Sequence, residues 1–224
     1  MPMHRPIHLG LIALLCTFFV SGCSAISALD GAGRSLAVVD LRAPDNFAAD
    51  QSTRTRDLIV ELPGTGGALD TDRIMIRPTP LAAQYLPGVR WSDTTPVMLQ
   101  TLMLRSLENT QGLRYIGRRP ISSEGDVALI SELTNFEAEQ TGQDTARITL
   151  RLIARLVRED DAEILATRIF TAGADTPSTE TDALLQGFDR AANILLNDLT
   201  RWTMGTLGIG LRITETAQVS QESR

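Results

Sequence analysis

The amino-acid sequence predicts an α+β fold: an antiparallel or mixed sheet with a long three-stranded meander, packed by two amphipathic helices in a two-layer sandwich. Three observations carry this reading. Apolar and polar residues alternate with period two through much of Asp126 to Thr171, apolar stripes at helical spacing occupy residues 97–109 and 180–204, and turn-rich tracts separate the segments. Alternation turns one face of a strand inward, whereas steps of three and four line one side of a helix. Each such element has one apolar face to bury, and laying helices on a sheet buries them together.

The chain opens with MPMHRPIH, in which Arg5 and two histidines stand without an acid, followed by a largely apolar run from Leu9 to Val20. A membrane-crossing helix needs about 20 apolar residues, so this run has the length of the hydrophobic region of a cleavable export signal. Val20-Ser21-Gly22-Cys23 then has the form of a bacterial lipobox. Small side chains before the scissile bond let the backbone lie flat in a peptidase groove. The Cys23 thiol is the nucleophile that takes a diacylglycerol, and Cys23 is the candidate lipidation site. One acyl chain binds a membrane marginally, whereas two or more anchor it stably. Ser24, not an aspartate, follows the cysteine. By resemblance to the usual sorting rule this points to the outer membrane, facing the periplasm. Residues 1–22 are then the cleaved signal, and 23–33 the lipidated N-terminus with a tether of small residues. Residues 34–210 are the folded domain, and 211–224 a polar, frayed tail.

Within the domain, Arg34 to Leu41 reads as a first strand, Asp57 to Leu62 as a second and Asp72 to Arg77 as a third. The tract Pro63-Gly64-Thr65-Gly66-Gly67 lacks the Gly-Lys-Ser/Thr of a phosphate loop and reads as a turn. Pro78, Pro80 and Pro87 predict a loop from Pro78 to Val89, with Trp91 just beyond it. Ser92-Asp93-Thr94-Thr95-Pro96 offers capping oxygens and a proline at the first helical position. Leu99, Leu102, Met103 and Leu107 give the following helix an apolar face, which Gln111-Gly112 closes. Leu113 to Ile116 is a short strand. In the meander, hairpin turns fall at Gln140–Asp144 and Glu159–Asp161. Leu184, Phe188, Ala191, Leu195, Leu199 and Trp202 line the last helix, which Gly205 and Gly208 end. Arg147, Arg151 and Arg155 share one strand face with Ile153 and Val157. Such a row is a solvated face paired with acids such as Glu132, Glu137 or Glu139, and it leaves room for use as a contact surface.

Composition excludes much chemistry. All 21 basic residues are arginine, and both histidines and Cys16 lie in the signal. The mature chain therefore has no histidine and no lysine, and its formal charge is −7 once Arg5 is removed from the total of −6. A histidine-activated nucleophile cannot be built, nor can a zinc site of the Cys/His kind, a Schiff base or a P-loop lysine. No disulfide is available. An acidic chain without a basic cluster argues against nucleic acid. Carboxylate-only catalysis stays open in principle, but no catalytic constellation assembles. The expectation is a protein that is not an enzyme and needs no cofactor or metal.

The order of parts has a further meaning. A lipobox cysteine, strands around DLIVELP and DRIMIRP, then RWSDTTPVMLQTLMLRSLENT, the meander and a terminal helix resemble the ABC-type transport auxiliary lipoprotein family. The likeness spans about residues 35–205, with Trp91 and the helix after it the most characteristic piece. It implies a non-catalytic, membrane-anchored periplasmic component of an ABC/MCE-type phospholipid transport system working between inner and outer membrane. It implies an MCE-domain protein and an ABC permease complex as partners, and it is compatible with a homo-oligomer. Two other readings stay open: an outer-membrane assembly or scaffold lipoprotein, and a lipid carrier with its own acyl-chain cavity.

Overall fold

The computed structural model describes residues 36–50, 55–121 and 126–214. Cys23, the tether and nearly all of the expected tail lie outside those residues. Val38–Arg224 contains one compact unit.

The meander forms as the alternation predicts. Strands β8 (Val127–Gln140), β9 (Ala146–Arg158) and β10 (Ile164–Thr176) pair antiparallel in that order. The other edge of β8 is shared out. Going up the strand it pairs in parallel with β3 (Asp57–Val60), then β4 (Gly64–Thr65), then β5 (Arg73–Thr79). β3 also takes β7 (Tyr115–Gly117) in parallel, and β5 takes β6 (Ala82–Trp91), beside which lies β1 (Ala37–Val39). The result is a mixed nine-stranded sheet. A separate ladder joins β2 (Phe47–Ala49) to β11 (Leu211–Ile213), so strand pairing runs past residue 210 into the stretch expected as tail.

The expected loop from Pro78 to Val89 is instead most of a β-hairpin, and the prolines fit because the β5–β6 ladder is irregular. Pairs form at Arg73 with Arg90, Met75 with Tyr85, Ile76 with Gln84 and Thr79 with Ala82, with register shifts between them. Pro78 and Pro87 fall at residues for which that register gives no partner, and Pro80 sits in the turn. Proline cannot donate to a ladder and is tolerated at such irregular places. Gly88, at φ +77°, supplies backbone that other residues rarely adopt. The tract at Pro63–Gly67 is part strand: Gly64 and Thr65 pair with β8 before the chain turns, the Leu69 amide donating to the Gly66 carbonyl.

Helix α1 (Thr95–Asn109) carries proline in its first turn, as predicted, but the side chain of its N-cap, Thr94, makes no capping bond. Thr95 ties the entry down instead, its amide and hydroxyl both donating to the Thr71 carbonyl, at 2.9 and 3.0 Å. Gln111 takes a left-handed conformation just past the end. Helix α2 (Thr181–Thr206) spans 26 residues and lies on β10 and β9. Both helices cover the same side of the sheet. At the centre Trp91, 1% exposed, stands edge-on to Phe136 and Phe188, with ring centroids 6.0 and 5.4 Å away, while the two phenylalanines stack at 5.5 Å. That trio joins the hairpin, the meander and α2 in one core. Trp202 sits at the margin of the predicted stripe, half-buried and edge-on to Phe170.

Candidate functional site

β9 shows how the two sides of the sheet differ. Ile148, Leu150, Leu152, Ala154 and Leu156 point under the helices and are fully buried, while Arg147, Thr149, Arg151, Ile153, Arg155 and Val157 face away from them. Register extends this outer face. Across β10 it includes Asp175, Thr171, Ile169 and Ile164, and across β8 it includes Ile130, Glu132, Asn135, Glu137 and Glu139. Ile169 is 53% and Ile164 57% exposed, so the face carries uncovered apolar area among its polar groups.

The arginine row pairs differently from expectation. Arg147 reaches Asp175 on β10 at 2.8 Å, and Arg151 donates to the Thr134 hydroxyl at 3.1 Å. Neither takes Glu132, Glu137 or Glu139. Register places Glu139 directly opposite Arg147, yet that arginine pairs across its other edge, with Asp175. A bulge between Leu133 and Asn135 sets Glu132 opposite Ile153, while Arg155 lies between Ile130 and Thr167 and has no acid beside it. Among the described residues Arg155 makes no ion pair.

Glu137 has another use. It is a buried acid, bonded by the Asn135 amide at 2.9 Å and by Arg77 Nε at 3.2 Å. Burying a carboxylate is costly unless it is paired, and Arg77 arrives because β5 lies parallel beside this stretch of β8. A groove of about 400 Å³ opens here between the Gly66–Leu69 turn and the sheet, lined by Met75, Arg77, Glu132, Thr134 and Glu137. The Tyr85 hydroxyl donates to the Ala68 carbonyl at 3.1 Å, and the Arg73 guanidinium lies 5.7 Å from the Tyr85 ring centre. The Arg77–Glu137 pair links residues far apart in sequence and is visible only once β5 and β8 are known to be neighbours.

A second charge cluster fastens the far edge. Arg114 grips Asp57 with two bonds of 2.7 and 2.8 Å, and Asp126 accepts from the Asp57 amide at 2.7 Å. The Arg114 hydrogen bonds hold the Asp57 carboxyl below its usual range, and the same contacts raise Arg114. These groups join β3, β7 and β8 and belong to stability. Among the described residues no three or more His, Cys, Asp or Glu side chains gather as metal ligands, and no helix is long and apolar enough to cross a membrane. The outer face of the sheet sets arginines and isoleucines side by side. Cys23, the predicted lipidation site, lies outside the described residues. Trp91 is part of the core.

Comparison with known proteins agrees with this architecture. The crystal structure of a Xanthomonas campestris protein of the DUF330 family model superposes with a TM-score of 0.67 at 25% identity, covering 84% of this chain and 99% of that one. A second crystallised protein shares the fold with a TM-score of 0.58 at 12% identity over 75% of this chain and 99% of its own. An uncharacterised protein of Bradyrhizobium diazoefficiens is 25% identical over 177 residues, which is 78% of this chain and 46% of that protein. The chain thus matches under half the length of that relative. The family model for the ABC-type transport auxiliary lipoprotein component matches residues 40–199, from just past β1 to the last two turns of α2. By that match, over the sheet and both helices just described, the chain belongs to the ABC-type transport auxiliary lipoprotein component family.

Proposed function

We propose that this protein is a lipid-anchored periplasmic component of an ABC/MCE-type phospholipid transport system, held at the outer membrane through Cys23. It contributes no chemistry and docks on the transport machinery by the outer face of β8, β9 and β10. The observation that carries this reading is the family match over residues 40–199 on a chain whose sequence places a lipobox upstream of it. Several features support the role given to the surface. Membership in an auxiliary family makes a transporter the expected partner. Interfaces favour arginine with apolar residues over lysine and glutamate, and the outer face sets Arg151 and Arg155 beside Ile153 and Ile169. The energy for transport would come from the permease complex, in keeping with a chain that lacks a P-loop lysine.

The anchoring is tested by Cys23→Ser in the native host, followed by fractionation. The serine variant should leave the outer-membrane fraction, and an unchanged distribution would refute the anchor. The partnership is tested by affinity purification of the lipidated protein from detergent-solubilised envelopes. Recovery of an MCE-domain protein supports it. Recovery of an ABC permease of another kind, with no MCE-domain protein, leaves only the broader assignment standing.

A further inference from the structure

The nine-stranded sheet ends on one side in β10, a strand of 13 residues that, among the described residues, pairs with β9 alone. Hydrogen bonding shows which backbone groups of β10 are left over. At the head of the β8–β9 hairpin the Thr141 amide donates to the Thr145 carbonyl. Antiparallel ladders alternate, so the even-numbered residues of β9 from Ala146 to Ala154 bond toward β10, where their partners are the even-numbered residues from Thr176 back to Arg168. The odd-numbered residues of β10 turn their amides and carbonyls away from β9. Arg190 of α2 caps one of these, the Asp175 carbonyl, at 3.2 Å. Among the described residues the amides and carbonyls of Thr167, Ile169, Thr171 and Gly173 meet no partner on that edge. Long open edges are ordinarily blunted by proline, bulges or charge. From Ala166 to Thr176 the ladder has no register shift and the sequence has no proline.

We propose that this edge pairs with the same edge of a second copy of the chain, antiparallel across a two-fold axis at Phe170. The pairing goes beyond the docking role proposed above and depends neither on Cys23 nor on the transport partner. Two observations select a second copy over any other strand. The first is symmetry: the free groups run from Thr167 to Gly173 and are centred on Phe170. A two-fold there sets Thr167 opposite Gly173 of the second copy and Ile169 opposite its Thr171, so every open amide and carbonyl is used. The second is charge. Arg168 is exposed on the helix side of β10, with its guanidinium 5.0 Å from the Phe170 ring centre, and among the described residues it makes no ion pair. The same two-fold puts it opposite Ala172 of the second copy. Helix α2 runs antiparallel to β10, with Arg190 at Asp175 and Trp202 edge-on to Phe170. Asp198, one turn before Trp202, therefore comes over Ala172, and its ion pair with Arg201 is long, at 3.9 Å. Each Arg168 then meets the Asp198 of the other copy, twice by symmetry. Apolar area lies along the same edge, from Ile169 on the outer side and from Ile194, 47% exposed and one turn past Arg190, on the helix side. Isologous pairing consumes both edges and closes at two copies. It also keeps the two outer faces on one side of a continuous sheet.

The experiment uses the full chain purified from its host in detergent, with the protein mass of each particle measured by light scattering. The native chain should run as two copies. Thr171→Pro should run as one, because proline removes an amide on the free edge and obstructs an incoming strand. The ladder to β9 passes through Phe170 and Ala172 and survives the change, as proline is tolerated where an edge amide faces solvent. Unchanged circular dichroism checks that the fold is intact. Arg168→Asp and Asp198→Arg should each lose the dimer, and the two changes together should restore it, a recovery that a folding defect cannot produce. A native chain that runs as one copy overturns the proposal, and so does a dimer that persists in Thr171→Pro. A double variant that stays apart overturns the charge pairing and the register with it. Flotation of the same samples with membranes and recovery of the transport partner are read separately, so the pairing can fail while the anchored, docking role stands.

Discussion

The two faces of β9 share one strand, one backbone and one alternation, yet they serve different ends. Beneath the helices, Ile148, Leu150, Leu152, Ala154 and Leu156 are closed off from water, and Phe136, Phe188 and Trp91 complete the packing. On the outer side, Arg147, Arg151, Ile153 and Arg155 keep part of their surface in solvent, and their pairing is loose. Residues of similar hydrophobicity, Ile148 and Ile169, therefore differ in what their loss would cost. Stability resides on the covered face, and the uncovered one is free to be spent on recognition.

The strongest way to break that comparison is truncation in the aromatic trio. Phe188→Ala should lose about 3–5 kcal/mol by removing buried contacts and leaving a cavity, while Ile169→Ala should stay within about 0.5 kcal/mol, as exposed substitutions do. Urea unfolding of both variants decides it, and equal losses would erase the distinction. Next in size is crowding at the contact of α2 with the sheet. A Cβ at Gly187 would come within 2.5 Å of Thr176 Cγ2 and 2.8 Å of Ile148 Cγ1. Gly187→Leu should therefore cost about 1–3 kcal/mol, as overpacking does, and should lower the thermal midpoint despite leucine's better helix propensity.

A double change on the outer face, Ile169→Asp with Arg155→Glu, sharpens the comparison from the other side. It should leave the unfolding midpoint nearly unchanged and weaken recovery of the transporter partner about tenfold, equivalent to 1.4 kcal/mol. An unaltered yield would move the docking surface elsewhere. The smallest expected effect is acid sensitivity at the β3 edge. Arg114 depresses the Asp57 carboxyl, so the stabilisation is fully present above the ordinary carboxylate value of 3.8 and is lost as pH falls through the lower folded-state value. Arg114 stays charged throughout, and Asp126 is the other acid beside it. The difference in thermal midpoint between the native chain and Asp57→Asn should be largest near neutrality and shrink below pH 3.8. A constant difference would mean that the carboxylate charge plays no part.

Much of this was legible in the sequence because the forces involved are local and periodic. The meander turns fall where Gln140–Asp144 and Glu159–Asp161 place them, and both helices begin and end within a few residues of their signals. The hairpin was not legible, since prolines that usually mark loops sit here at ladder irregularities which no local rule reveals. The open face was read half correctly. The arginines do share it, but the cross-strand neighbours depend on a bulge at Leu133–Asn135, which also moves the inward positions of β8 from Leu129 and Leu133 to Phe136 and Ala138. The Arg77–Glu137 pair had no local signal, being set by which strand lies beside β8.

By itself the sequence determined the class of fold, the side of each strand and helix that must be buried, the absence of lysine, and Val20-Ser21-Gly22-Cys23 as the tract that makes Cys23 the candidate lipidation site. Those follow from periodicity and residue chemistry, which need no knowledge of neighbours. Only the tertiary structure decided that β8 shares one edge among three parallel partners, that Trp91 belongs to the core, and that β10, among the described residues, has a strand on one edge alone. Each depends on which distant segments meet, and burial is a property of the neighbours a residue finds once the whole chain has packed.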